Sequence, residues 1–328
     1  GFLKNRINLE ATYYNQNNTD QVLNVQLSNT TGATSALLNA GKFTNKGLEL
    51  DLKLTPLVKL GEAEVDFKIN YSNQDSKITG LIDGVNELGI GNFNYAVVGS
   101  PAFVFKTNDY YRDSATGKVI VDPITGMPTQ NSNLTQFGRT LPRHILGLNL
   151  SVKWKGFTLG AVAEYRSGNQ IIADQLGNFL DDNGISVRSG SYGRRAFIFP
   201  NSVYLDNGKY VNNTSVYTQN YGRVFYNNDL NTDVTSNYLA DGSFWKLREL
   251  TLIYDFPASI FKGKGIKGAS IGFTGRNLFM WLPKSNQWTD PEFTANGNNS
   301  YTGNAVGLST AFNQPPTRFM GANVTLNF

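Results

Sequence analysis

Apolar and polar residues alternate with a period of two at many places in this chain of 328 residues. Between Ile7 and Tyr14, every second residue is apolar, which predicts a strand with one apolar face. The pattern occurs eight times, in Ile7–Tyr14, Gly47–Leu54, Ala63–Tyr71, Leu146–Trp154, Phe157–Tyr165, Leu250–Phe256, Ala269–Phe279 and Met320–Phe328. Lys155 and Gly156 separate two of these segments, so a very tight hairpin is expected there. The sequence therefore predicts an all-β fold with antiparallel strands.

The connections between the eight predicted strands alternate in length. Three are short, at about residues 55–62, 153–156 and 257–267, whereas residues 16–44, 72–142, 167–241 and 280–315 form long ones. Long structureless connections are unusual in a compact domain, but outer-membrane barrels combine short periplasmic turns with long extracellular loops. We therefore expect a transmembrane β-barrel segment with extracellular long loops and a periplasmic C-terminus. Phe103–Lys106 and Lys118–Val121 are expected to form a small hairpin in the second long loop.

Aromatic residues gather at both ends of the predicted strands. One group lies near the proposed inner ends (Phe2, Trp154, Phe157, Phe256 and Phe328), and another lies near the outer ends (Tyr13, Tyr71, Tyr165, Phe279 and Trp281). Two such girdles are typical of membrane interfaces, although aromatic residues are also common in strands generally. The alternation by itself is compatible with a β-sandwich or a propeller as well. The asymmetry of the loops favours the barrel.

The composition excludes several other classes of protein. No stretch approaches the ~18 apolar residues of a membrane-spanning helix, and the mean hydropathy is −0.31. The net charge of +4 includes no block of Lys or Arg, so nucleic-acid binding is not expected. The start of the chain lacks the pattern of a signal peptide. We expect either an intracellular protein or the later part of a longer or processed chain.

The sequence contains no recognisable catalytic constellation. It has no cysteine and a single histidine, His144, which we interpret as structural or solvent-exposed. The segment Asp181–Gly184 resembles the opening of a calcium loop, but the bidentate glutamate is absent at the required distance, which favours a plain turn. We therefore predict no enzyme activity, no catalytic residues, no metal site and no cofactor.

Five stretches resemble one known family. They are "NAGKFTNKGLELDLKLTP" (residues 39–56), "LPRHILGLNLSVKWKGFTLGAVAEY" (141–165), "DGSFWKLRELTLIYDFP" (241–257), "GRNLFMWLPKSNQWTDPEF" (275–293) and "TRFMGANVTLNF" (317–328). In this order they resemble the C-terminal barrel region of SusC/RagA-type TonB-dependent transporters of Bacteroidetes outer membranes. The resemblance covers essentially the whole chain.

The resemblance implies an architecture and a function for the complete protein. It implies a 22-stranded barrel to which residues 1–328 contribute about eight wall strands, with the plug domain and the TonB-contacting segment outside this chain. It also implies an active importer of oligosaccharides or peptides that works with the TonB complex and a SusD-like surface lipoprotein. A small self-contained β-barrel or β-domain that acts as an adhesin or scaffold is the alternative.

The resemblance also assigns roles to individual residues. Aromatic residues of the predicted extracellular loops are candidates for contact with the ligand or the lipoprotein lid: Tyr192, Tyr204, Tyr221, Trp281, Trp288 and Tyr301. Phe328, with Leu326 two positions before it, matches the aromatic C-terminal signal for outer-membrane assembly. The glycine of that signal matches less well, because Asn323 stands at the expected place.

Overall fold

The computed structural model describes residues 1–26, 30, 32, 35–192, 195–263, 265–292, 307–309 and 316–328. Its strands are β1 (Ile7–Gln26), β2 (Ser35–Leu60), β3 (Ala63–Leu81), β4 (Glu87–Gly89), β5 (Asn94–Val97), β6 (Val104–Tyr110), β7 (Val119–Ile120), β8 (Gln130–Arg139), β9 (His144–Trp154), β10 (Phe157–Ser167), β11 (Gln170–Ile172), β12 (Ser202–Asp206), β13 (Lys209–Asn212), β14 (Leu239–Asp241), β15 (Phe244–Asp255), β16 (Gly268–Trp281) and β17 (Phe319–Asn327). The helices are α1 (Asp174–Asp182), α2 (Val187–Gly190), α3 (Gly222–Tyr226) and α4 (Asp229–Thr232).

Eight strands form one antiparallel sheet, here called the wall sheet. Its order is β1-β2-β3-β9-β10-β15-β16-β17, so the strands are neighbours in the order in which they follow one another along the chain. Each of these strands corresponds to one of the eight predicted segments, and the predicted fold class is confirmed. The tight hairpin between β9 and β10 is also present, with positive φ angles of 47° at Lys155 and 82° at Gly156.

The register of the wall sheet separates its two faces. One row of cross-strand partners is apolar from β1 to β16: Leu9, Leu52, Ile69, Leu148, Ala163, Leu247 and Phe279. The adjacent row on the opposite face is Glu10, Asp51, Asn70, Gly147, Glu164, Lys246 and Met280, and it is mostly polar. A shift of a single residue would exchange the two faces, so the pairing itself determines which side of the sheet is apolar.

No second layer covers the apolar face of the wall sheet in the described part of the chain. Leu48 is exposed, and Leu50, Val65, Phe67 and Leu148 are only half-buried. A β-sandwich would bury such a row within its core. The four clusters of buried apolar residues instead lie in the connections and at the far end of β3. The structure therefore favours the barrel over the sandwich.

The first hairpin is longer than the sequence pattern indicated. Residues 16–44 were expected to form a long loop, but β1 continues to Gln26 and β2 begins at Ser35. Cross-strand pairing extends to Gln26 and Ser35, with register shifts near Gln21. The prediction was wrong because it relied on apolar alternation, whereas backbone pairing does not require apolar side chains. β3 likewise extends beyond its predicted end at Tyr71, to Leu81.

The remaining long connections fold into small sheets of their own. β4, β5, β6 and β8 form one sheet, which is called the loop sheet below, and β13, β12 and β7 form another. The hairpin predicted from Phe103–Lys106 and Lys118–Val121 was wrong, because β6 and β7 belong to different sheets. Val119 forms an isolated bridge with Arg112, which lies outside the predicted segments. β6 pairs with β5 and β8, and β7 pairs with β12 in parallel. The main partners of both strands come from elsewhere in the sequence.

Two turns of the same design follow β6. Asp113 accepts hydrogen bonds from the backbone N–H groups of Ala115 (3.3 Å) and Thr116 (3.1 Å). Asp122 accepts them from Ile124 (2.9 Å) and Thr125 (2.7 Å). Each turn closes on a glycine with positive φ, and a Cβ on Gly126 would lie 2.3 Å from the carbonyl oxygen of Tyr217. The repeated pattern D-x-x-T-G thus encodes a tight local turn.

No α-helix in the described ranges has the length and apolar composition needed to cross a membrane.

The two faces of β9 predict responses of different size to the same kind of substitution. Leu148→Arg is expected to reduce the free energy of unfolding by about 2–4 kcal/mol, because the charge would enter the face expected to contact hydrocarbon. Asn149→Arg, on the other face, is expected to cost about 0.5 kcal/mol or less. Urea unfolding of the full-length protein in lipid vesicles measures both. Equal losses at the two positions would show that the faces are not segregated.

Candidate functional site

The polar face of the wall sheet contains a wide depression. It has a volume of about 450 Å³ and is lined by residues of β1, β2, β3, β9, β10 and β15. Glu10, Glu49, Asp51 and Glu164 contribute carboxylates to it, and Arg248 contributes a guanidinium group. In a barrel this face would enclose the lumen, so the depression would form part of the lumenal surface.

A network of six charged side chains lies beside this depression. Lys246 places its Nζ atom 2.5 Å from Asp290 Oδ2 and 2.5 Å from Glu292 Oε2. Arg248 donates to both oxygens of Glu292 (2.5 and 2.6 Å) and to Glu164 (2.7 Å). Arg166 completes the set beside Glu164 and Glu292. Three positive and three negative charges are thus brought together, and we call them the charge network.

The charge network fixes the segment that follows β16. Asp290 and Glu292 belong to this segment, whereas their basic partners lie on β10 and β15. Lys246 is only 5% exposed, and a charge at that depth requires partners because its hydration has been lost. The network therefore holds the chain after β16 against the polar face of the wall sheet.

The acid–base properties of Glu292 agree with this arrangement. Burial by itself would raise the pKa of its carboxyl, but hydrogen bonds from Arg248 and Lys246 outweigh burial and lower the pKa to about 2. The carboxylate therefore remains ionised throughout the neutral range.

A second polar centre lies inside the connections. Asp181 is fully buried, and Arg188, Asn231 and Tyr238 all donate hydrogen bonds to it. The guanidinium carbon of Arg188 lies 4.9 Å from the ring centroid of Tyr238 and 4.9 Å from that of Trp288. Such a cation stacked on aromatic faces is well stabilised.

The second centre explains the acidic turn noted in the sequence. Asp181 and Asp182 end α1, and Gly184 follows with a φ angle of 67°. The carboxylate of Asp181 is occupied by Arg188, so the segment is a turn at the end of a helix rather than a calcium loop. In the described ranges, no group of three His, Cys, Asp or Glu side chains is placed to hold a metal ion.

Three of the predicted contact residues take part in packing. The ring of Tyr192 stacks on Phe197, with 4.1 Å between centroids. Tyr204 packs against the buried cluster that contains Tyr110 and Val121. Trp288 is half-buried beside Arg188. Whether these residues also contact a ligand or a lid remains a prediction.

The other predicted residues occupy exposed positions or lie outside the described ranges. Tyr221 is 48% exposed just before α3, and Trp281 is 57% exposed at the end of β16, stacked on Phe279. Leu326, inside β17, and Phe328, directly after it, are both exposed. Tyr301 lies outside the described residues. Contact with a ligand or a lid, and the assembly signal, remain predictions here as well.

His144 is the first residue of β9. Its Nδ1 atom lies 2.8 Å from the hydroxyl oxygen of Tyr71 and 3.0 Å from Nδ2 of Asn73. The imidazole is thus held within the sheet by neighbouring side chains, which gives it a structural position.

Comparisons with known proteins agree with this fold. No protein-family model matches the chain. A TonB-dependent receptor of Formosa agariphila is 25% identical over 344 residues, covering 98% of this chain and 33% of that protein. A second TonB-dependent receptor of Formosa agariphila is 21% identical, and the alignment covers 93% of this chain and 31% of that receptor. The predicted resemblance to TonB-dependent receptors is confirmed. The chain spans about a third of the length of these relatives.

Solved structures of RagAB show the same fold as this chain. The structure described as the RagAB peptide transporter has a TM-score of 0.64 at 20% identity, and it covers 99% of this chain and 33% of its own chain. The RagAB peptide importer in the open-open state has a TM-score of 0.65 at 21% identity, with 99% and 33% covered. The resemblance thus extends to RagA-type receptors at the level of fold.

Loss of Glu292 tests the role of the charge network. Glu292→Gln is expected to destabilise the segment 282–292 by about 3 kcal/mol, because Lys246 and Arg248 keep their charges but lose a shared carboxylate. The matched control is Glu249→Gln, whose exposed ion pair with Arg276 contributes about 1 kcal/mol or less. Hydrogen exchange of residues 282–292 measures the effect. Similar protection in both variants would contradict the proposed role.

The depressed pKa of Glu292 predicts a specific pH dependence. Its contribution to stability is complete above the ordinary carboxyl pKa of 4.5 and is lost as the pH falls through about 2. Hydrogen-exchange protection of residues 282–292, corrected for the intrinsic rate, should therefore decline between those two values. The Glu292→Gln variant should lack this component, and an identical decline in the variant would assign it to another group.

Proposed function

We propose that this chain forms part of the barrel wall of an active importer in the bacterial outer membrane. The observation that carries the proposal is the division of one continuous eight-stranded sheet into an exposed apolar face and a polar face. Such a sheet suits hydrocarbon on one side and water on the other. The resemblance to TonB-dependent receptors supports energy-dependent import rather than catalysis.

Residues 1–328 are proposed to be the C-terminal part of the β-barrel domain. In the described residues, β1 and β17 each have one neighbouring strand, and an open edge in lipid would leave costly unpaired backbone groups. Eight strands closed alone would have an interior filled by side chains. We therefore propose that both edges pair with further strands of the same protein, in a barrel of 22 strands. The plug domain and the TonB-contacting segment belong to the rest of that protein.

The proposed orientation places the long connections outside the cell and the C-terminus in the periplasm. The folded connections form a broad surface at one end of the wall sheet, where a SusD-like surface lipoprotein would bind. The ligands proposed for this importer are oligosaccharides or peptides, and the TonB complex of the inner membrane would supply the energy. Exposed Tyr221 and Trp281 stay candidates for contact with the ligand or the lipoprotein.

Uptake in cells tests the proposed function. Cells that produce the full-length protein should accumulate labelled peptides or oligosaccharides, and loss of TonB should reduce accumulation to that of cells without the transporter. Loss of the SusD-like lipoprotein should also reduce it. A general porin substrate, measured in parallel, should be unaffected. Accumulation that persists without TonB would refute active import.

A further inference from the structure

A cavity lies between the wall sheet and the loop sheet, and no function described so far uses it. Its volume is about 340 Å³, within the range of about 300–1,000 Å³ typical of small-molecule sites. Phe43 of β2 and Ile78 of β3 line it on the wall side, and Ile90, Ala96 and Phe103 line it on the side of the loop sheet. We call this space the mouth cavity.

The mouth cavity opens on the same face as the charge network. Along β3, Asn70 lies in the polar row, and Gln74, Ser76 and Ile78 continue along the same side of the strand. The cavity therefore lies on the lumenal side, toward the end of the wall sheet from which the long connections emerge. A solute entering the lumen from that end would meet it early.

The walls of the mouth cavity are mainly apolar. Ile78, Ile90 and Ala96 are nearly fully buried, and they form one packed cluster with partly buried Phe43 and Phe103. Filling apolar space of this kind removes hydrocarbon surface from water, which is favourable at about 25 cal/mol per Å². The cavity is thus suited to an apolar group.

Most polar groups of the cavity are engaged with the protein itself. Arg139 donates to the carbonyl oxygen of Gln74 and forms an ion pair with Asp75. The side chain of Gln74 donates to the carbonyl oxygen of Pro142 at 3.1 Å, and the backbone N–H of Ala102 donates to Ser76 at 3.1 Å. The cavity therefore presents no unpaired charge to an occupant.

Two side-chain amides remain at the edge of the cavity. Gln21 and Asn45 line it, and neither side chain exchanges a hydrogen bond with another residue of the described ranges. An amide offers both a donor and an acceptor. It therefore complements the N–H and C=O groups of a peptide backbone.

These properties discriminate between the two ligand classes of the proposed function, on which the present inference rests. A sugar ring carries hydroxyl groups around its circumference, and each would lose hydration against apolar walls without gaining a partner. An apolar amino-acid side chain has no such requirement. We infer that the mouth cavity binds an uncharged apolar side chain of an imported peptide, with Asn45 and Gln21 facing the peptide backbone.

Binding to the full-length protein in detergent tests this inference. The probes are the capped tripeptides Ala-Phe-Ala and Ala-Ser-Ala, together with maltotriose, and calorimetry gives the affinities. Ala-Phe-Ala should bind about tenfold or more tightly than Ala-Ser-Ala, the difference expected for burying one large apolar side chain. Maltotriose should not compete. Tighter binding of maltotriose, or equal binding of the two peptides, would overturn the inference.

Two variants locate the binding in the cavity. Ala102→Phe places a ring in the cavity and should remove the preference for Ala-Phe-Ala, whereas Ala115→Phe, on an exposed turn, should keep it. Asn45→Ala should weaken the binding of both peptides to the same extent, because it removes a hydrogen-bond partner of the peptide backbone and leaves the apolar walls intact. A comparison of gel migration with and without prior heating of the sample confirms that each variant is folded. Retention of the preference by folded Ala102→Phe would contradict the assignment.

Uptake measurements separate a failure of this inference from a failure of the proposed function. If TonB-dependent uptake of Ala-Phe-Ala occurs and Ala102→Phe does not change it, the cavity assignment is wrong and the importer stands. If TonB has no effect on any labelled peptide or oligosaccharide, the proposed function is wrong. A cavity filled by the protein's own chain would give a stabilised Ala102→Phe variant with unchanged uptake, which also rejects the inference.

Discussion

The hydrogen-bonded ladder of the wall sheet is the constraint on which the rest of this structure depends. In hydrocarbon, each unpaired backbone group costs several kcal/mol, so the strands must pair along their length, and pairing imposes a period of two on their side chains. The row that passes through Leu52, Ile69 and Leu148 is apolar, and the next row, through Asp51 and Asn70, is polar. A single register therefore produces both a face for lipid and a face for the lumen.

The charged and apolar features of the lumenal face have distinct physical roles. The charge network ties the segment after β16 to β10 and β15 through contacts of short range. The mouth cavity, by contrast, has apolar walls and polar groups that are mostly satisfied. The same face thus combines a fixed charged anchor with an apolar recess.

The sequence predicted the features that depend on neighbouring residues and missed those that depend on distant ones. Alternation located the eight wall strands, but it did not show that β1 and β2 continue through polar residues. The motifs that contain Lys246 and Asp290 were recognised without their pairing, because 44 positions separate the two residues. The folded connections were missed for the same reason, since Phe105, Ile172 and Leu308 meet in one buried cluster. Asp290 and Glu292 follow one predicted strand, and the basic residues Lys246 and Arg248 lie on another. This complementarity of charge is the signal from which sequence analysis could have predicted the pairing.

The accessibility of the two faces to lipid tests the central claim most directly. The chain contains no cysteine, so spin labels can be attached to it at Leu148→Cys or Asn149→Cys in the full-length protein in lipid vesicles, once any cysteine elsewhere in the protein has been replaced. The label at position 148 should collide readily with oxygen, which concentrates in hydrocarbon, and the label at position 149 with a water-soluble nickel chelate. Shielding of position 148 from both reagents would place it in a packed protein core and contradict the account.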